Sequence, residues 1–216
     1  MTSQTTRFCF VRHGETDWNA DQRMQGQKDL PLNADGLEQA EWAGPCFSGK
    51  AIAAIYSSDL LRAQQTAGPI AEALKLPVTL LPALRERNFG RCEGLVGSEI
   101  VNIYEDDARA LRVRDADYVL PGGESLRQVQ QRVLDCIDRL ARDHAGQTIV
   151  VVTHGGVLDL IYRRACHMAL EQPRNFEIPN TGFNWVSICD NQWRIEQWAD
   201  TAHLGERGAI KVLTNY

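Results

Sequence analysis

The sequence predicts an α/β fold: a three-layer α/β/α sandwich around a mostly parallel central sheet. Three observations carry this. Short apolar runs alternate with longer stretches whose apolar residues recur at helical spacing, the pattern of strands joined by crossover helices. The run 148–152 is wholly β-branched, as suits a strand covered on both faces. The 216 residues, 44% hydrophobic and 24% charged, suffice for one sizeable core. No internal repeat or Pro/Gly-rich linker divides them, so 1–216 is expected to form a single domain.

Residues 7–11 read as the first strand, and 33–47 as a helix with Asn33 or Asp35 as its cap. Residues 51–56 read as a second strand, followed by a helix over about 60–74 and a short strand at 78–81. A long amphipathic helix covers 124–143, with Leu126, Val129, Val133, Ile137 and Leu140 at helical spacing. The strand 148–152 leads into a helix over 157–166, and 184–189 with 193–198 form a closing hairpin around Asp190-Asn191. Residues 88–123 break this rhythm: they are charged in both signs and contain the turn Pro121-Gly122-Gly123. They are expected to run over one sheet edge, partly helical around 98–112, as a lid or a plain insertion. The tail 205–216 carries no motif.

A net charge of −5 and a pI near 5.6 argue against general affinity for nucleic acid or an anionic membrane. A local cluster of arginines can still hold an anion inside a cleft. Residues 1–6 are short and polar, unlike a secretory signal, and no window has the apolar length of a membrane span. The six cysteines are scattered without a CxxC pair, and buried free thiols are expected for most of them. Cytoplasm is the consistent compartment. Dimerisation through a sheet edge or the hairpin stays open.

Four segments bear chemistry. Arg12-His13-Gly14-Glu15-Thr16 follows the first strand directly, where ligands bind in open α/β sheets. Thr153-His154-Gly155-Gly156 repeats the arrangement after the strand 148–152 and opens a helix, whose free amides favour anions. If both strands are central and parallel, the two imidazoles emerge at one sheet edge. In the third segment, 56–67, Arg62 lies near the start of a helix that also follows a strand. The fourth, 84–94, is by itself a charged loop. No His-x-x-x-His or paired-aspartate spacing suggests a metal, and Arg12 and Arg62 would repel a cation. His144, His167 and His203 lack such context and read as surface or structural residues.

Together these segments, in order and spacing, resemble the histidine phosphatase superfamily, which includes the cofactor-dependent phosphoglycerate mutases. The resemblance runs from Arg7 to about Thr181 and implies a phosphoglycerate mutase-like fold. It implies that His13 is the phosphorylated nucleophile, that Arg12, Arg62 and His154 complete the phosphate pocket, and that Glu86 protonates the leaving oxygen. It places Asn19, Gln25, Gly26 and Thr181 at or beside the phosphate site; Gly155 joins them through its helix-start amide. The chemistry agrees. Only neutral imidazole attacks phosphorus, and neighbouring arginines lower the pKa of His13. A clamp of Arg12, Arg62 and a protonated His154 would hold the equatorial oxygens.

No metal is then required, and 2,3-bisphosphoglycerate would be a cofactor only for a mutase. The loops at 26–32 and 86–94 resemble the phosphatase branch, so hydrolysis of a small phosphate ester is expected ahead of mutase chemistry. A non-catalytic phosphate-ester-binding regulator ranks below both, because Arg12, His13, Arg62, Glu86 and His154 are all intact. Arg109, Arg112 and Arg114 suggest a second acidic-group site, but Glu105, Asp106, Asp107, Asp115 and Asp117 beside them read as a mixed, solvated face. Cys92, in the Glu86 loop, is either packing or an oxidation-sensitive thiol.

Overall fold

The computed structural model describes residues 4–205; the expectation for the tail falls, apart from Gly205, outside them. Six strands form one sheet in the order β3-β2-β4-β1-β5-β6: β1 (Thr6–Arg12), β2 (Ala54–Ser57), β3 (Val78–Leu80), β4 (Thr148–Thr153), β5 (Phe183–Cys189) and β6 (Gln192–Asp200). The first four are mutually parallel, and β5 and β6 close one edge as an antiparallel hairpin. The hairpin turns at Asp190 and Asn191, whose φ of 48° and 61° match a primed two-residue turn.

Alternation along the central strands builds a core on each face. Phe8, Phe10, Ile149 and Val151 pack against α6 (Leu126–Asp143) and α7 (Gly155–Ala165) through Val133, Ile137, Val157 and Ile161. Cys9, Val11, Val150 and Val152 face the other way, against α2 (Ala34–Ala43) and α3 (Leu61–Leu74) through Ala43, Ala63, Ala67 and Ile70. These are the three layers.

Several boundaries move for local reasons. Asn33 caps α2 by accepting from Gly36 N at 2.8 Å, but the α-helix ends at Ala43, where Gly44-Pro45 enters a 3₁₀ turn to Phe47. The second strand starts at Ala54, after turn bonds among residues 47–52. Ser125 and Gln128 form a capping box that starts α6 at Leu126. His154 itself is the N-cap of α7, which starts at Gly155, two residues before the start the apolar spacing indicates. A four-residue helix, α1 (Asp17–Ala20), was too short to leave a periodic signal.

The excursion holds α4 (Gly97–Ile103) and α5 (Glu105–Arg112), with Ile100 and Leu120 buried in a satellite core beside Met24 and Cys92. The solvated-face reading holds for Glu105, Asp106, Asp115 and Asp117 but fails for Asp107. Asp107 is fully buried, accepting from Arg91 Nε (2.8 Å), Tyr118 Oη (2.7 Å) and Cys92 Sγ (3.6 Å). Cys92 is buried too, and burial followed by the Asp107 charge pushes its thiol up to about 11, so a reactive thiolate is not what this position holds. Cys9 and Cys136 are likewise buried, whereas Cys166 is exposed. Among the described residues no helix is long and apolar enough to cross a membrane.

Candidate active site

Because β1 and β4 are parallel neighbours with Arg12 opposite Thr153, the chain leaves both strands side by side, and His13 and His154 emerge together. Their ring centroids are 5.1 Å apart. Gly14 makes this turn possible: a Cβ there would lie 2.5 Å from the carbonyl oxygen of Gly36, so only glycine lets the loop pack on α2. Its N–H donates to Thr66 Oγ1 at 2.9 Å, tying the turn to α3.

His13 is buried, and its Nδ1 lies 2.7 Å from the Gly14 carbonyl oxygen. A carbonyl only accepts, so Nδ1 carries the proton and Nε2 presents its lone pair. Burial first, then Arg62 and Arg12, hold the His13 pKa well below 6.5. The imidazole is therefore neutral at pH 7, the tautomer fixed by the backbone.

His154 is fully buried, with Nε2 2.8 Å from Ser58 Oγ, while Nδ1 has no partner among the described residues. Burial, then Arg62, His13 and Arg12, depress its pKa well below 6.5. In the protein alone these causes favour the neutral ring, whereas the expected cation concerns the site with a phosphoryl group bound.

Arg12 and Arg62 are also buried rather than solvated. Arg12 Nη1 donates to the Ile178 carbonyl at 2.6 Å; Arg62 donates from Nη1 to Lys28 O (2.8 Å) and from Nη2 to Gly26 O (2.7 Å). The Nε of each lacks a partner among the described residues. Burial lowers both to about 10, opposed chiefly by Glu86, so both stay charged at neutral pH. Unpartnered polar atoms on buried groups are costly. Arg12 and Arg62 share the cavity with His13 and His154 lies beside it, and the unpartnered Arg12 Nε, Arg62 Nε and His154 Nδ1 are polar atoms of the kind an oxyanion can engage.

Glu86 is half-buried on the same cavity. Its Oε1 accepts from Arg87 N and its Oε2 from Gly156 N, each at 2.8 Å. A Cβ on Gly156 would sit 2.1 Å from Oε1, so the glycine at the start of α7 makes room for the carboxylate.

Arg12, His13, Asn19, Gln25, Gly26, Arg62, Glu86 and Gly155 all border one cavity of about 150 Å³. Asn19 Oδ1 is engaged by Thr16 N at 3.2 Å, which turns its NH₂ toward other acceptors. Gly26 contributes by docking Arg62 on its carbonyl. Thr181 is not brought into this wall: its N–H holds the Arg12 carbonyl at 3.0 Å, and its hydroxyl donates to Asn180 O at 2.8 Å. With a φ of 53° it anchors the end of β1 directly behind Arg12, beside the site. Of the excursion arginines, Arg109 pairs with exposed Asp106 and Arg112 is exposed; only Arg114 reaches the cavity. Arg87, Asp159 and Arg174 also line it and were not singled out from the sequence. Among the described residues no group of three His, Cys, Asp or Glu side chains is placed to hold a metal.

The sequence profile of the histidine phosphatase superfamily (branch 1) matches residues 8–201. The chain belongs to this superfamily. It is 37% identical to the metal-independent phosphoserine phosphatase of Arabidopsis thaliana, over 98% of this chain and 88% of that one. It is 40% identical to phosphoglycerate mutase-like protein 4 of the same plant, over 93% and 88%. Among solved structures, the phosphoserine phosphatase of Entamoeba histolytica in complex with 3-phosphoglyceric acid superposes with a TM-score of 0.79, at 27% identity, over 92% of this chain and 99% of that one. The enzyme class is that of the superfamily's phosphatases: a phosphomonoester hydrolase with the α/β fold of the phosphoglycerate mutase-like proteins.

Proposed function

We propose that this histidine phosphatase hydrolyses a small phosphate monoester through a phosphohistidine at His13, without a metal. The observation that carries the proposal is the Nδ1–H bond to Gly14, which leaves Nε2 with a free lone pair on a ring beside His154 and on the cavity that Arg12 and Arg62 line. In the first step Nε2 forms a bond to phosphorus as the ester P–O bond breaks. The positive charge gained by the ring is held by the Gly14 carbonyl. Arg12 and Arg62 neutralise the equatorial oxygens, and His154 Nδ1 faces the same group. Glu86 protonates the leaving oxygen as general acid. In the second step water attacks phosphorus, Glu86 takes its proton, the N–P bond breaks and His13 returns to neutral.

Asn19, Gln25 and the Gly155 amide are assigned to phosphate binding, and Gly26 to holding Arg62. The test is phosphate release from a panel of monoesters in the presence of EDTA, beside His13→Ala. 3-Phosphoglycerate is followed for isomer formation with and without 2,3-bisphosphoglycerate. Release in EDTA that is lost with His13 is the expected result. Release that survives His13→Ala, or isomer formation outpacing release, would overturn the proposal.

A further inference from the structure

The two ring nitrogens of His154 are held unequally, and the cause lies one strand away. β2 and β4 are parallel neighbours, with Ser57 opposite Val152. The N–H of Ser58 extends that ladder to the Val152 carbonyl at 2.9 Å. The residue just past β2 is thereby set beside the residue that caps α7, and Ser58 Oγ lies 2.8 Å from His154 Nε2. Both residues are fully buried, so neither side chain can turn to water.

The neutral ring has two forms, and they differ in how many buried groups go unpaired. Ser58 Oγ has one proton to give, and it already accepts from Leu60 N at 3.3 Å. Among the described residues its other partner is His154 Nε2 alone. With the ring proton on Nε2, the hydroxyl would receive two donors and its own proton would have no acceptor. Nδ1 would be a second unpaired group, since it has no partner among the described residues. With the ring proton on Nδ1, Ser58 Oγ–H donates to Nε2 and both roles of the hydroxyl are filled. Only the Nδ1–H is left over. One unpaired buried group costs less than two. A cationic ring fares no better, because it again carries a proton on Nε2, and burial and the Arg62 charge already disfavour it.

We propose that Ser58 is a positioning residue that holds His154 as a neutral Nδ1–H donor, so the ring meets a phosphoryl oxygen without first taking up a proton. This rests on the phosphatase reading of the site. The two histidines, 5.1 Å apart, then share one tautomer for opposite purposes. The Gly14 carbonyl draws the proton of His13 to Nδ1 and frees Nε2 to attack. The Ser58 hydroxyl occupies Nε2 of His154 and leaves its Nδ1–H to donate. Alanine in place of Ser58 would leave Nε2 without its donor, and the proton could then sit on either nitrogen.

The ring nitrogens report this directly by NMR. Protein carrying 15N-labelled histidine is compared free and with inorganic phosphate at pH 7, and the His154 signals are those missing from His154→Gln. The expected spectrum has the proton on Nδ1 and a bare Nε2 in both states. A proton on Nε2, alone or as part of a cation, would overturn the proposal. In Ser58→Ala the form protonated on Nε2 should appear, and the Kd for inorganic phosphate should rise about tenfold, the worth of one hydrogen bond to a charged group. An unchanged Kd in Ser58→Ala shown to be folded by thermal unfolding would overturn the proposal. So would a raised Kd with the ring still in its wild-type tautomer, which would mark a merely structural role. The wild-type spectrum decides even where Ser58→Ala does not fold. It needs no turnover either, so its outcome is separate from that of the phosphatase reading, which fails if p-nitrophenyl phosphate is not hydrolysed.

Discussion

Gly156→Ala isolates the proton-donor role of Glu86 without touching Glu86. A methyl at this position would begin 2.1 Å from Glu86 Oε1. Real contacts of this kind stay above 3.0 Å, so the carboxylate must retreat by about 0.9 Å, the difference of the two. That shift breaks the 2.8 Å bond between Gly156 N and Oε2. A misplacement of about 1 Å in a reacting group costs on the order of 10²-fold in rate, within the roughly 10²–10⁴-fold that general acid catalysis supplies. The fold is not endangered, since alanine has the better helix propensity in the first turn of α7. The assay compares kcat/KM for an alkyl phosphate and for p-nitrophenyl phosphate, whose phenolate departs without a proton. The alkyl ester should slow about 100-fold and the aryl ester by less than about threefold. Equal losses on both would refute the assignment of Glu86 as the acid.

Further expectations follow from the buried groups. Asp159→Ala strips three guanidiniums of their shared partner, and urea unfolding should show a loss of about 3–5 kcal/mol; a loss below about 1 kcal/mol would contradict the network's importance. His13 and His154 have native pKa values well below the ordinary 6.5. Unfolded histidine then binds a proton that the native rings refuse, so stability should fall as pH drops from about 6.5 toward 5. The slope is about 1.4 kcal/mol per pH unit for each ring, and urea midpoints unchanged across that window would contradict the neutral assignment. Cys92, buried with its thiol pushed up to about 11, should resist iodoacetamide in the native protein while exposed Cys166 reacts; peptide mapping that finds Cys92 alkylated first would contradict its buried position.

What the sequence disclosed follows the range of the interactions involved. His13 and His154 were legible because an apolar strand followed by His-Gly is a local pattern, and parallel neighbours bring such strand ends together. Arg62 was legible by its place at the start of a helix after a strand, although its burial was not. Glu86 sits in a loop without periodicity, and only the family resemblance distinguished it from surface glutamates. The long-range half of the Asp159 cluster was invisible: Asp159 and Arg114 are 45 positions apart, and nothing local marks either as the other's partner. Asp107 misled for the complementary reason, since a run of acids on a short helix looks solvated until Arg91 and Tyr118 arrive from outside it. Thr181 came only through the resemblance, since its link to the site is a backbone bond to Arg12, 169 positions away, that no local pattern marks.

The most direct test is to mix the enzyme with a phosphate ester, quench within milliseconds in alkali, and map the modified peptide by mass spectrometry. Phosphate on a histidine survives alkali. A phosphohistidine mechanism requires a single phosphorylated residue, His13, linked through Nε2, appearing before free phosphate and absent from His13→Ala. Phosphate release with no trapped phosphohistidine, or with the label on His154, would contradict it.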